Sequence, residues 1–184
     1  MAPTIVVGDT IPQGEFKYIP YTSDQEDPIR RGIYITLIAV TLSTNEFAGK
    51  KVVLVSVPGA FTPTCHKTHL PQFLEKYEEF KSKGVDIIAV VAANDAFVMS
   101  GWGRVEQLKD KILTLSDTNA EFSAKIGLST DLSHVGFGLR TARYALVLDN
   151  LVVTYIGVVI NTGGQVEPDR GVTVSSAESV LASL

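Results

Sequence analysis

Two near-continuous apolar runs, Lys51–Val57 and Val85–Ala92, constrain this chain more than anything else in it. Strands with one solvated face alternate apolar and polar residues, whereas strands buried on both faces do not. Runs of this kind suit neighbouring strands of a parallel sheet, and parallel neighbours need a crossover that is usually a helix. The intervening segment supplies one: Leu70, Phe73, Leu74, Tyr77 and Phe80 recur at helical spacing. Pro71 lies inside that pattern and has no N–H to give, which predicts a kink near it, and Gly84 is the expected terminator.

The alternation continues downstream. Asn94 or Asp95 is placed to cap a second helix with Val98, Trp102, Val105 and Leu108 as its core face. Ile112–Leu115 reads as a short strand, and Asp117 or Thr118 as the cap of a short helix ended by Gly127. A loop of roughly a dozen residues then leads to Arg143. Tyr144–Leu148 and Leu151–Ile160 flank Asp149-Asn150, a hairpin signal. Ser175-Ser176-Ala177-Glu178 has capping-box spacing for a last helix. Upstream, residues 1–30 are turn-rich, with Gly8, Pro12, Gly14, Pro20 and Pro28, and read as an arm with one short strand around Phe16–Ile19. Ile33–Leu42 reads as a strand or hairpin. The order predicts an α/β fold, a central mixed sheet covered by helices on both faces, in one domain over residues 1–184.

A 184-residue chain with 45% hydrophobic and 20% charged residues is not disorder-like. Its net charge of −4 gives no electrostatic attraction to nucleic acid or to an anionic membrane. No apolar run approaches the roughly 18 residues of a spanning helix. The N-terminus lacks secretory features, and the C-terminal Ser183-Leu184 only weakly resembles a peroxisomal address. With one cysteine the chain holds no internal disulfide and no multi-cysteine zinc site. The expected setting is a reducing compartment, cytoplasmic, with peroxisome and mitochondrion left open.

That cysteine, Cys65, stands where chemistry gathers in α/β sheets, between a strand's C-terminal end and a helix start. A free thiol has a pKa of about 8.5 and is mostly protonated at neutral pH. A helix N-terminus favours the thiolate, which is the nucleophile. The plain alternative for a lone cysteine is a small buried hydrophobe. His66 and His69 are close in sequence; His66 points about 100° away along a helix, while His69, one turn on, is closer in angle, and a surface or subunit-contact role is the expectation. A Cys65–histidine metal site is not expected, and His134 has no assignable role.

The string Pro58-Gly59-Ala60-Phe61-Thr62-Pro63-Thr64-Cys65 carries the pattern Pro-x-x-x-Thr-x-x-Cys. With it the chain resembles the peroxiredoxins, and VPGAFTPTCH looks like their type II, atypical subgroup. GVDIIAVVAANDAFVMSGW at 84–102, LSDTNAEFSAKIG at 115–127, RYALVLDN at 143–150 and the terminal VTVSSAESVLASL extend the likeness from about residue 30 onward. The resemblance implies a thioredoxin-like fold and a thiol-dependent peroxidase acting on hydrogen peroxide and organic hydroperoxides, with no cofactor. It implies that Cys65 is the peroxidatic cysteine, that Thr62 bonds the thiolate and the peroxide, that Pro58 shields the pocket and that Arg143 faces the sulfur. Chemistry agrees: a guanidinium favours a neighbouring anion, and a hydroxyl both donates and accepts. The backbone N–H groups of Thr64 and Cys65 are further candidate donors.

Many relatives resolve the oxidised sulfur with a second cysteine. Here the approximate equivalents are Arg31, Val90 and Ala120, so the cycle is expected to be one-cysteine, closed by glutathione, glutaredoxin or thioredoxin. By the same resemblance the chain forms homodimers, with Phe61, Phe97 and Trp102 as interface candidates and a core role as the alternative for Trp102. Two rival readings are a peroxide sensor that passes oxidation to a partner and a fold-bearing interaction protein without activity. A disulfide oxidoreductase is excluded, because Thr62 stands where the first cysteine of Cys-x-x-Cys would be.

Overall fold

A computed structural model describes residues 3–23, 38–158 and 172–184. In chain order the strands are β1 (Glu15–Tyr18), β2 (Val40–Ser43), β3 (Lys51–Ser56), β4 (Ile87–Ala92), β5 (Leu113–Ser116), β6 (Ser129–Asp131), β7 (Leu139–Thr141), β8 (Tyr144–Asp149) and β9 (Val152–Val158). The helices are α1 (Leu70–Glu75), α2 (Tyr77–Ser82), α3 (Ala96–Val105), α4 (Glu121–Lys125) and α5 (Ala177–Ala182). Seven strands form one mixed sheet in the order β2-β1-β5-β4-β3-β8-β9. The two apolar runs are its centre: β3 pairs with β4 in parallel and with β8 antiparallel, and β4 pairs with β5 in parallel.

Because side chains alternate across a strand, β3 divides the core in two. Val53, Val55 and Val57 face one layer with Phe73, Phe80, Met99, Trp102 and Leu181, drawn from α1, α2, α3 and α5. Val52 and Leu54 face the other with Phe16, Phe47, Phe122 and Ile126. Helices therefore cover both faces, and the N-terminal arm contributes β1 at the sheet's antiparallel side.

Several local expectations are corrected. The kink expected at Pro71 is a widened π turn, Cys65–His69, directly before it, in which the Leu70 N–H reaches the Cys65 carbonyl five residues back. A proline four residues on cannot bond the Lys67 carbonyl, and the wider turn absorbs that missing link. A second break falls at Lys76, between α1 and α2. On α3 the buried stripe is Ala96, Met99, Ser100, Trp102 and Gly103, while Val105 is exposed. Gly103 explains the shift, since a Cβ there would lie 2.7 Å from the Thr114 methyl; its absence lets α3 lie close on β5. Trp102 is wholly buried, so of the two readings kept for it the core one holds.

The hairpin turns one residue later than expected. Asn150 and Leu151 both have positive φ, 48° and 71°, as a two-residue primed turn demands. The twelve-odd residues read as loop hold the ribbon β6–β7, whose three-residue strands are too short to leave a periodicity. The cap of α5 is Ser176, which accepts from the Ser179 N–H, rather than a box from Ser175 to Glu178. Residues 33–37 and 159–160 of two expected strands, and Arg31, lie outside the described residues.

Candidate active site

The loop from Val57 to Thr64 leaves the C-terminal end of β3 and is fixed at many points. Its first carbonyl, on Val57, accepts from the Thr141 hydroxyl at 2.7 Å. The Ala60 N–H donates to Asn94 Oδ1 at 2.9 Å. The Thr62 hydroxyl donates to the Gly59 carbonyl at 2.8 Å, and the Thr62 carbonyl accepts from the His66 N–H at 2.9 Å. Phe61, at the crest, sits at φ 61°, a left-handed conformation that a bulky residue rarely adopts without such ties.

Cys65 opens the π turn that follows. Arg143, just ahead of β8 and 78 residues distant in sequence, donates from Nη2 to its sulfur at 3.3 Å. Its Nη1 meets His69 Nδ1 at 2.9 Å, and His69 Nε2 lies 2.8 Å from the Ser175 carbonyl. A guanidinium only donates, so Nδ1 must accept and Nε2 must carry the proton given to Ser175. The chain of contacts runs from the C-terminal segment through His69 and Arg143 to the sulfur. Cys65, Arg143 and His69 are all buried. A buried guanidinium needs acceptors around it, and His69 is one of them.

Of the expected site residues the structure brings Arg143 to Cys65, and it places Pro58 and Thr62 on the loop just before the cysteine. Pro58 is buried at the exit of β3, with its carbonyl taken by Arg140 Nη1 at 3.3 Å. The Thr62 proton is committed to Gly59, which leaves its oxygen as an acceptor. Cys65 is fully buried, with the Arg143 guanidinium directly against its sulfur.

Sequence reasoning missed His69 and expected a surface or contact histidine. Its partners come from the residue just ahead of β8 and from the C-terminal segment, which helical spacing cannot reveal. His66 does turn away from the sulfur. Its Nδ1 pairs with Glu106 Oε1, and the Trp102 indole N–H donates to the same carboxylate at 3.1 Å. The Phe61 ring centroid lies 6.3 Å from that of Trp102. His134 is exposed on a short 3₁₀ turn, and Phe61 and Phe97 are exposed as an interface role would need. Val90 and Ala120 are buried in the core.

Asp117, between β5 and α4, is a buried carboxylic acid. It accepts from the Phe122 and Ser123 N–H groups at the start of α4. Burial pushes its carboxyl above the usual carboxylate range, against the lowering effect of those bonds. No helix among the described residues is long and apolar enough to cross a membrane.

Residues 7–181 match the redoxin family. The chain is 42% identical to Peroxiredoxin-2D and 41% identical to Peroxiredoxin-2C of Arabidopsis thaliana, each over the whole of both chains. Among solved structures it is similar to reduced Prx3 of Vibrio vulnificus in complex with H2O2, with TM-score 0.78, 39% identity and 97% and 98% of the two chains covered. With a lone cysteine facing an arginine at the end of a central strand, and relatives of this kind over its full length, the chain belongs to the redoxin family as a peroxiredoxin of the type II kind, a thiol-dependent peroxidase with a thioredoxin-like fold.

Proposed function

We propose that Cys65 is the peroxidatic sulfur of a one-cysteine cycle and that Arg143, Thr62 and Pro58 form its cradle. The observation that carries this is the 3.3 Å contact between Arg143 Nη2 and Cys65 Sγ, both buried. A cation at that distance stabilises negative charge on the sulfur, and far more so where solvent is excluded. The thiolate attacks one oxygen of R–O–O–H, the O–O bond breaks and the departing oxygen leaves as ROH after taking a proton. Cys65 is left as a sulfenic acid. Thr62, its own proton held by Gly59, accepts from the peroxide O–H, and the Arg143 fork steadies the oxygens. Pro58 lends a wall with no N–H to compete.

An external thiol then attacks the sulfenic sulfur, releasing water and forming a mixed disulfide. A second thiol frees Cys65 and departs as disulfide. Over the cycle, ROOH and two thiols become ROH, water and one disulfide. Glutathione with glutaredoxin, or thioredoxin, fills the reductant role in this proposal. Hydrogen peroxide and organic hydroperoxides are the substrates in this proposal. We propose further that residues 1–184 act as one domain, that the protein is a cytoplasmic homodimer and that exposed Phe61 and Phe97 lie in its interface.

The test is replacement of Cys65 by Ser. Peroxide consumption with a thiol reductant is expected to vanish, and one equivalent of peroxide should add one oxygen to Cys65 of the unaltered protein by mass spectrometry. Unchanged turnover in the variant would refute the assignment.

A further inference from the structure

The loop that carries Pro58 and Thr62 is held from outside by one arginine that neither the family pattern nor the cycle above uses. We propose that Arg140, together with Asn94, is a positioning pair for the peroxide cradle. It acts through the 58–62 backbone and never touches substrate. The inference rests on the proposed role of Cys65, Thr62 and Pro58.

Arg140 stands on β7, the short ribbon strand beside the active-site loop. Its guanidinium spans three anchors. Nε donates to the Phe137 carbonyl at 2.8 Å, which ties the arginine to its own ribbon. Nη1 donates to the Pro58 carbonyl at 3.3 Å and to Asn94 Oδ1 at 3.2 Å. The guanidinium carbon also lies 5.2 Å from the Phe137 ring centroid, within cation–π range. Asn94 Oδ1 meanwhile accepts from the Ala60 N–H at 2.9 Å. One oxygen therefore joins the arginine to the loop, and the same Nη1 grips the loop two residues earlier.

A side chain at position 59 would crowd this clamp. A Cβ on Gly59 would sit 3.3 Å from Arg140 Nη1 and 3.1 Å from the Thr62 methyl. The glycine lets the arginine approach the backbone, and Thr62 then bonds the Gly59 carbonyl. The clamp faces a loop that holds Phe61 at positive φ. Such a conformation persists only where its surroundings over-determine it. The geometry therefore assigns Arg140 and Asn94 the work of keeping Pro58 and Thr62 in register with the sulfur. Arg143, approaching from the other side, is held independently through His69.

This separation gives the test. In Arg140→Met the clamp is lost while the Arg143–Cys65 contact stays. The second-order rate of Cys65 oxidation by hydrogen peroxide should fall at least about tenfold, since misplacement of a cradle by about 1 Å can cost up to about a hundredfold. Alkylation of Cys65 by iodoacetamide at the same pH should not fall, because it needs the nucleophile but not the cradle. Arg140→Lys should rescue little, since a point charge cannot serve Phe137, Pro58 and Asn94 together. Asn94→Ala should give a similar loss, and the double variant less than the sum of the two. If Arg140→Met does not fold, Arg140→Gln and Asn94→Ala are compared in the same way.

A peroxide rate within about twofold of the unaltered protein in the folded variants overturns the inference, as does a parallel fall in alkylation, which would signal a general disturbance. If the unaltered protein shows no oxidation of Cys65 by peroxide, it is the functional reading that fails and not the clamp alone.

Discussion

Replacing His69 by Leu isolates the buried chain that orients Arg143. The substitution conserves an apolar body but removes two hydrogen bonds: the acceptor for Arg143 Nη1 at 2.9 Å and the donor to the Ser175 carbonyl at 2.8 Å. Each buried group left without its partner costs about 1–3 kcal/mol, so the loss is about 2–6 kcal/mol. Leucine returns roughly 1 kcal/mol through its greater apolar area. A net destabilisation of about 1–5 kcal/mol is expected, within the roughly 5–15 kcal/mol that domains possess, so the variant should still fold. His69→Gln is the control. Its amide oxygen can accept from Arg143 and its nitrogen can donate to Ser175 across a similar span, so its loss should be about 1 kcal/mol. Urea unfolding followed by circular dichroism measures both, with the midpoint shift read at constant slope. The peroxide rate should track the order, with the leucine variant slower than the glutamine variant. If the leucine variant is as stable and as fast as the unaltered protein, or the glutamine variant is no better than the leucine one, His69 does not hold the guanidinium.

Asp117 makes a prediction about pH. Its folded carboxyl lies above the ordinary value of 3.8, chiefly through burial, so the native state binds its proton more tightly than the unfolded chain. The stabilisation linked to that proton is complete below 3.8 and is lost as pH rises through the folded value. Stability of the unaltered protein relative to Asp117→Asn, taken from urea curves, should therefore decline across that rise; an increase would reverse the sign. Gly157→Ala should be severely destabilising, because its Cβ would lie 2.0 Å from the Val174 carbonyl oxygen. Thermal denaturation should register a loss of at least about 2 kcal/mol. Asp95→Ala removes a cap whose carboxylate accepts from the Phe97 and Val98 N–H groups, and the same measurement should show about 1 kcal/mol.

What the sequence made legible follows from how local each signal is. β3 and β4 were readable because burial on both faces removes polar residues from a strand; the cap of α3 was readable only to Asn94 or Asp95, since either can bond two or three residues ahead. The cluster Pro58, Thr62 and Cys65 was readable as one continuous string. Arg143 was different: its contact with Cys65 spans 78 residues, and only the likeness to peroxiredoxins tied the two together. His69 was misread because its partners arrive from elements that pack only when the fold is complete. Arg140 drew no notice, since a charged residue in a three-residue strand looks like any solvated side chain. The hairpin register slipped because Leu151 occupies a positive-φ position that its side chain disfavours, and Asp149-Asn150 is the more usual signal.

The chain has a single tryptophan. Its indole N–H is bonded to Glu106, and its ring faces Phe61 on the loop over the sulfur. The emission of this protein therefore comes from one fluorophore seated against the active-site loop. No second indole dilutes it, so opening of the loop should register as a change in intensity or colour without any attached dye.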